Sequence, residues 1–201
     1  MPLTNARDEE LALLFSEAQT HNFWLDRPVS DDVLRRAYDL AKMAPTAANT
    51  QPLRIVFMKS AAGKEKLKAT LSPTNVDKTM AAPATAIIAY DSAYWEQMDK
   101  LFPARPEMKG FLGGLPPEVQ KAMGTLSATL QAGYFILAAR ALGLDCGPMG
   151  GFEAAKVDAA FLDGAKSKWK SLLLVNLGYG DTTKLYPRNP RLSFDDAATI
   201  E

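Results

Sequence analysis

The chain has 201 residues, of which 47% are hydrophobic and 23% are charged, as is ordinary for one soluble globular domain. Its 23 basic residues balance its 23 acidic residues, so no net field favours a nucleic-acid partner. Cys146 and His21 are the only residues of their types, which excludes an intrachain disulfide and leaves too few ligands for a zinc site or a His-based triad. A lone cysteine is typical of a reducing compartment, so we expect a cytoplasmic protein without a metal.

The first part of the chain predicts two helices. Residues Met1 to Glu10 are polar and acidic and lack the apolar core of a signal peptide. Apolar residues recur at helical spacing from about Ala6 to Gln19, which predicts an amphipathic helix. Ser30, with two aspartates after it, is typical of a helix start. We expect this second helix to stop near Ala44.

A segment of small residues between two prolines follows the second helix, from Pro45 to Pro52. Proline disfavours helix at the residue before it, so the chain should enter the strand-like run Leu53–Met58 through an extended corner. Small side chains would let a flat ligand approach the backbone closely. Asn49 and Gln51 each carry a donor and an acceptor, which suits the mixed edge of a flavin ring. An ordinary helix-to-strand loop remains the alternative for this segment alone.

The rest of the chain predicts an α+β domain that spans residues 1–201. We expect further strands at 84–90 and 171–177, and helices at 61–71, 75–81, 117–143 and 153–162. The most apolar helical stretch runs from Ser127 to Leu144, but Gln131 and Arg140 interrupt it. It falls short of the ~20 apolar residues that a membrane span needs, and we interpret it as a core helix.

Two stretches show no clear period. Trp95 to Glu118 contains several prolines and glycines, and a long insertion of this kind is more often functional or mobile than structural filler. A solvated irregular loop is the alternative. Beyond Gly180, prolines and arginines predict an extended C-terminal arm over residues 181–201. This arm would have little to pack on in a monomer.

Two blocks carry a resemblance to a known family. The segment Ala44–Pro52 resembles the A-P-[ST]-x-x-N-x-Q-P signature of the FMN-dependent nitroreductases. Residues Leu142–Phe152 resemble the LGL-x-x-x-P-x-x-G-F segment of that family, and the resemblance extends from about Ala18 to about Arg191. It implies a nitroreductase-like α+β fold with a central, mostly antiparallel sheet flanked by helices. It also implies an interwoven homodimer in which the C-terminal arm adds a strand to the partner's sheet.

The resemblance implies two groups of residues around a flavin ring, with residues 95–118 covering it. One group would come from one subunit and line the flavin bound mainly by the other, namely Pro45, Thr46, Ala47, Asn49 and Gln51.

The second group would contact the pyrimidine edge and N5. Asn75 and Lys78 match the Asn-x-x-Lys pair of the family, in which a lysine near N1 and O2 stabilises the reduced ring. A helix cap and a solvated helix face are the alternatives for these two residues. The turn Pro148-Met149-Gly150-Gly151 would direct backbone N–H groups of Gly150 and Gly151 toward N5 and O4. Many members have Glu where this chain has Gly150.

The phosphate end departs from the family pattern. Members usually carry Arg-x-Ser-x-Arg, but this chain has Ala18-Gln19-Thr20-His21-Asn22, which keeps a hydroxyl at Thr20 and lacks both arginines. His21 would compensate, or it is a structural histidine. Arg188 and Arg191 match the basic residues that close the phosphate site and would carry more of the charge. A solvated arm is the alternative for both.

The function that the resemblance implies is ping-pong hydride transfer from NAD(P)H to FMN N5 and then to a small acceptor, with no catalytic side chain. Three stretches, Thr20-His21-Asn22, Gly147-Pro148-Met149 and Gly150 to Phe152, look most like the malonic semialdehyde reductases of pyrimidine breakdown, which form 3-hydroxypropanoate. Arg105 or Lys109 could then hold the substrate carboxylate. A broad nitro or quinone reductase and a flavin-binding protein without turnover are the alternatives.

Overall fold

The structure is a computed structural model that describes residues 5–201. The polar stretch Met1–Glu10, in which the sequence predicts no signal peptide, lies partly outside the described residues. Within them the chain forms a four-stranded sheet in the order β1-β2-β4-β3. All its strand pairs are antiparallel, in agreement with the predicted, mostly antiparallel sheet of an α+β fold. The strands are β1 Leu53–Met58, β2 Ala84–Asp91, β3 Asp145–Met149 and β4 Trp169–Gly178.

Helices cover both faces of the sheet. In the described part of the chain they are α1 Asp8–Leu11, α2 Asp31–Ala41, α3 Ala61–Lys68, α4 Pro73–Ala81, α5 Met98–Leu101, α6 Glu107–Gly113, α7 Pro117–Ala141, α8 Ala154–Phe161 and α9 Phe194–Ala197. Short 3₁₀ turns lie at Ala47–Asn49, Tyr94–Gln97, Gly164–Lys166 and Thr182–Lys184. The side chain of Ser30 caps α2 by accepting from the Val33 amide, so the predicted helix start is confirmed.

The core has two parts because side chains alternate across the sheet. Ile88 of β2 packs with Leu34 of α2 and Phe135 of α7 on one face. Its neighbour Ile87 packs with Leu67 of α3 and other residues on the opposite face. The fold is therefore a sheet between two helical layers.

Helix α7 is long and apolar enough, by length and composition, to cross a membrane. Its buried side chains instead pack against the sheet and α2, including the fully buried Phe135 and Ala139. Gln131, which interrupts its apolar sequence, accepts a hydrogen bond from the Leu53 amide at 3.0 Å. The helix therefore has the contacts of a core helix, as the sequence predicts.

Two sequence predictions need correction. The single N-terminal helix predicted from Ala6 to Gln19 is a short α1 that widens into a π-helical turn over Ala12–Ser16, where the Glu17 amide donates to the Ala12 carbonyl. The covering segment, residues 95–118, is not an irregular loop, because it contains α5 and α6, and Met98 and Leu112 of these helices form a buried cluster with Tyr94. Its helices are only one or two turns long, too short to show a period in the sequence.

Candidate active site

The predicted phosphate-binding segment lies along the outer edge of β3. Thr20 forms a parallel bridge with Cys146, and the His21 amide donates to the Cys146 carbonyl at 3.0 Å. The approach requires Gly147, because a Cβ at that position would lie 2.6 Å from the His21 carbonyl oxygen. This segment is therefore fixed beside the strand that leads to Gly150 and Gly151.

The His21 side chain points into the protein. The residue is 4% exposed, and its Nε2 lies 3.3 Å from Asp145 Oδ1. The ring packs directly against Gly180, where any Cβ would collide with it, and Nδ1 is buried without a partner in the described residues. Asp145 also accepts from the Gly180 amide at 2.8 Å. This geometry favours the structural alternative for His21, although Thr20 and Asn22 beside it remain candidates.

The predicted turn at Pro148-Met149-Gly150-Gly151 begins later than the sequence predicts. Pro148 and Met149 belong to β3, which pairs with β4, and Gly150 and Gly151 follow the strand. Proline is tolerated because β3 is an edge strand, where its missing N–H need not serve a ladder. Apart from Gly150 and its two chain neighbours, no heavy atom of the described residues lies within 4 Å of the position that a Gly150 Cβ would take, so this glycine borders open space.

Helix α4 is joined directly to these glycines. The Asn75 side-chain amide donates to the Gly151 carbonyl at 2.8 Å, and the Ser72 amide donates to the same carbonyl at 3.1 Å. A Cβ on Gly151 would lie 2.5 Å from Asn75 Nδ2. Asn75 is 6% exposed and lies inside α4, whose N-cap is Ser72. The helix-cap interpretation of Asn75 is therefore wrong, and the residue links the two predicted ring-binding elements.

A buried polar network reinforces this link, and the sequence reasoning missed it. Thr79 of α4 donates to the Met149 sulfur at 3.5 Å and accepts from the Asn176 amide at 3.2 Å. The Thr85 hydroxyl donates to Asn176 Oδ1 at 2.8 Å. Asn176 interrupts the apolar run Leu172–Leu177 of β4, which is the signal that could have revealed the network.

Lys64 of α3 fixes the other end of α4. Its buried ammonium group donates to the carbonyl of Ala82 at 2.6 Å and to the carbonyl of Thr79. Burial lowers the pKa of Lys64 to about 8. The sequence carries no signal for this residue, because it lies in a helix with several other lysines.

Lys78 lies one turn after Asn75 and faces a surface cleft of 600 Å³. Its carbonyl accepts from Trp24 Nε1 at 3.0 Å, which joins α4 to the N-terminal segment, residues 18–24. The cleft brings Lys78 together with Asn22, a second residue predicted to bind the cofactor. It is lined by Asn22, Phe23, Trp24, Thr74, Asp77, Lys78, Ala81, Lys184 and Tyr186.

The loop that begins at Pro45 has an unusual backbone. Ala48, Asn49 and Gln51 have φ values of 50°, 53° and 40°, in the left-handed region that non-glycine residues rarely adopt. The Gln51 amide donates to Thr46 Oγ1 at 3.2 Å, and Gln51 Nε2 donates to Asn49 Oδ1 at 2.8 Å. Such strain persists where surrounding contacts enforce it and is concentrated at functional sites.

This loop is anchored away from Asn75 and Gly151. The Ala47 amide donates to Ser127 Oγ of α7 at 3.4 Å, and Asn49 Nδ2 donates to the Leu101 carbonyl of the covering segment at 2.7 Å. Among residues 5–201, none of its hydrogen bonds reaches Asn75 or Lys78. One chain therefore brings Asn75 and Lys78 together with the Pro148–Gly151 stretch and with the N-terminal segment. The Pro45–Gln51 loop of the same chain does not join this group.

The two arginines of the arm differ. Arg188 donates to the Ala18 carbonyl at 3.0 Å, which places it beside the predicted phosphate segment. Arg191 donates to the carbonyls of Asn189 and Pro190 in its own arm, at 2.8 and 3.2 Å, and is exposed. Of these two arginines, only Arg188 is therefore held near Thr20 and Asn22 by a hydrogen bond among residues 5–201.

The remaining candidates carry no chemistry of their own. Cys146 is fully buried, and burial raises the pKa of its thiol to about 12, so it stays protonated near neutral pH. In the part of the chain that the structure describes, no group of three or more His, Cys, Asp or Glu side chains could hold a metal ion.

Comparison with known proteins shows the family. Residues 20–179 match the nitroreductase family. A protein of Ralstonia nicotianae, provisionally named NADH dehydrogenase/NAD(P)H nitroreductase, is 51% identical over 188 residues, which cover 93% of this chain and 94% of that protein. The chain belongs to the nitroreductase family.

Solved structures share the fold at low sequence identity. The Bacillus subtilis nitroreductase ydfN superimposes with a TM-score of 0.87 at 20% identity, covering 97% of this chain and 100% of its own. An Exiguobacterium sibiricum nitroreductase solved in complex with FMN gives a TM-score of 0.86 at 20% identity, covering 99% and 100%. The predicted nitroreductase-like fold is confirmed.

Proposed function

We propose that this protein is an FMN-dependent NAD(P)H oxidoreductase that reduces a small carbonyl or nitro compound. The observation that carries the proposal is the hydrogen bond from Asn75 to the Gly151 carbonyl, because it joins the two elements predicted to contact the flavin ring. The family of the chain, the names of its curated relatives and the FMN in one structural neighbour support the same cofactors.

The residues present fit a flavin. The Asn75 side-chain oxygen accepts no hydrogen bond within residues 5–201, so it is available to the ring N3–H. Open space beside Gly150 leaves room for a flat ring near backbone amides. Bound FMN would accept a hydride from NAD(P)H and deliver it to an acceptor that later occupies the same pocket. Lys78 would supply positive charge at N1 and O2, and the Gly150 and Gly151 amides would donate toward N5 and O4.

Malonic semialdehyde is the acceptor that we propose first, giving 3-hydroxypropanoate. The support is the resemblance of Thr20-His21-Asn22, Gly147-Pro148-Met149 and Gly150 to Phe152 to the malonic semialdehyde reductases. A carboxylate-bearing aldehyde needs a nearby cation, and the covering segment offers Arg105 and Lys109. Both are exposed and already paired, with Glu107 and Asp99 respectively. Either would have to exchange its partner for the substrate, at small cost for an exposed pair.

A broad nitro or quinone reductase is the second candidate. The open space at Gly150 favours it, because a pocket without the usual Glu side chain admits a wider range of acceptors. The name of the Ralstonia relative also supports a nitro acceptor.

Steady-state oxidation of NADH and NADPH separates these functions. Purified protein should be yellow, and malonic semialdehyde should accelerate oxidation well beyond the rate without an acceptor. Preference for nitrofurazone and a quinone would favour the broad reductase. Flavin binding without turnover of any acceptor would indicate a storage or sensing protein, and a colourless protein that takes up no FMN would refute the proposal.

We also propose a homodimer with two flavin sites at the interface. Within the described residues β1 pairs only with β2, so its outer edge leaves backbone groups unpaired. A cleft of 650 Å³ with apolar side chains from β1 and α2 lies there. The arm bears large exposed apolar residues, and so does α7: Leu126, Leu130, Tyr134, Leu192, Phe194 and Ile200. Light scattering should give the mass of a dimer; a stable, flavin-loaded monomer would contradict this arrangement.

A further inference from the structure

We propose that Lys184 is a ligand of the FMN phosphate, which lies in the cleft between α4, the N-terminal segment and the arm. This inference rests on the proposed function and identifies a cationic residue that compensates for the arginines missing at Ala18 and Asn22. It adds to the phosphate site a residue that the family signature does not indicate.

The cleft joins three parts of the chain that are distant in sequence. Asn22 comes from the N-terminal segment, Lys78 comes from α4, and Lys184 ends a 3₁₀ turn at the start of the arm. Phe23 and Tyr186 hold the first and third parts together, with ring centroids 5.9 Å apart. The cleft therefore has walls from both chain segments expected to close the phosphate site.

The covalent structure of FMN directs its phosphate to this cleft. The ribityl chain leaves the ring at N10, which is separated from N1 by a single ring carbon. If Lys78 serves N1 and O2 while Gly150 and Gly151 serve N5 and O4, the chain leaves on the Lys78 side. The cleft that Lys78 lines also contains Asn22 and Lys184, and neither Gly150 nor Gly151 is in its lining, so we assign the ribityl chain and phosphate to it.

The charges of the cleft suit a phosphate once Lys184 turns inward. Its Nζ now lies 3.1 Å from Asp181 Oδ2, and its side chain is 60% exposed. Asp181 is mostly covered and also accepts from the amide and the hydroxyl of Thr183, so it keeps these hydrogen bonds when a dianionic phosphate replaces it as the partner of the exposed Lys184. Asp77 is the opposing charge, because it is the acidic residue in the lining.

Two substitutions that change the charge of the cleft in opposite directions test whether Lys184 binds the phosphate. Lys184→Met removes a cation from the cleft, and Asp77→Asn removes an anion. Affinities for FMN and for riboflavin, which lacks the phosphate, are measured by fluorescence titration of protein freed of bound flavin. Lys184→Met should weaken FMN binding by about tenfold or more and leave the affinity for riboflavin within about twofold of the parent value. Asp77→Asn should increase the affinity for FMN severalfold and leave the affinity for riboflavin unchanged.

Lys166→Met is the matched control, because Lys166 also ends a 3₁₀ turn but is absent from the cleft lining. Circular dichroism establishes that each variant is folded. The inference is overturned if Lys184→Met binds FMN as tightly as the parent, or if the substitution lowers the affinities for FMN and for riboflavin equally. A parent protein that binds neither flavin would refute the proposed function instead.

Discussion

Asn75 and Gly151 approach each other so closely that the glycine cannot carry a side chain without displacing the asparagine. The amide-to-carbonyl distance is 2.8 Å, and a Cβ on Gly151 would lie 2.5 Å from the same amide nitrogen. This contact, with the Ser72 and Thr79 hydrogen bonds beside it, therefore holds the helix that carries Lys78 against the strand end that leads to Gly150.

Gly151→Ala should disrupt this contact. The added methyl group must move Asn75 or Ser72, so we expect a loss of about 1–3 kcal/mol in the free energy of unfolding and weaker binding of both FMN and riboflavin. Gly150→Ala is the matched control, because open space surrounds that position. Equal flavin affinities for the two variants would contradict the role assigned to the Asn75–Gly151 contact.

Lys64 predicts a pH dependence of stability. Burial lowers its pKa from the ordinary lysine value of 10.5 to about 8 in the folded protein, so between these values the unfolded chain binds more protons than the folded one. Stability should therefore rise with pH across this window, by at most about 1.4 kcal/mol per pH unit. Urea unfolding of the parent and of Lys64→Met from pH 7 to 10.5 measures the difference. Parallel curves would show that Lys64 does not titrate in this range.

Tyr94→Phe should stabilise the protein. The hydroxyl of Tyr94 is buried and has no hydrogen-bond partner in the described residues, and leaving such a group unsatisfied costs about 1–3 kcal/mol. Thr85→Val is the control, because the buried Thr85 hydroxyl donates to Asn176 Oδ1 at 2.8 Å and its removal should destabilise the fold. A lower melting temperature for Tyr94→Phe would mean that its hydroxyl has a partner in the working protein.

Arg188→Ala should weaken FMN binding more than Arg191→Ala does, because, of these two, Arg188 alone donates a hydrogen bond to the N-terminal segment among residues 5–201. We expect the FMN affinity of Arg188→Ala to fall by about tenfold or more, as for the loss of a charge-assisted hydrogen bond. Titration with FMN and riboflavin measures both variants. The reverse order would indicate that the arm repositions Arg191 on dimerisation and that Arg188 serves only to anchor the arm.

The sequence predicted the regular elements best where local signals were strong. Strand β1 has the predicted bounds Leu53–Met58, and Ser30 caps α2 as expected. Strand β3 was missed because Gly147 and Pro148 are typical of turns, although a glycine is needed there to accommodate the His21 carbonyl and an edge strand tolerates the proline.

The site was predictable only in part. The resemblance singled out Asn75 and Gly151 separately, but their hydrogen bond depends on how α4 packs against β3, which local sequence does not specify. Lys64 and Thr79 lie 15 residues apart and meet through that same packing. Lys184 has a partner in Asp181 and carries no motif, so only the cleft distinguishes it from other surface lysines.

Anaerobic rapid mixing with NAD(P)H tests whether this protein is an FMN-dependent oxidoreductase. The bound flavin should lose its yellow colour when NAD(P)H is added, and malonic semialdehyde or a nitro compound should restore the colour in a second mixing step. The two steps should occur separately, as ping-pong transfer requires. A bound flavin that neither NADH nor NADPH reduces would contradict the proposed function.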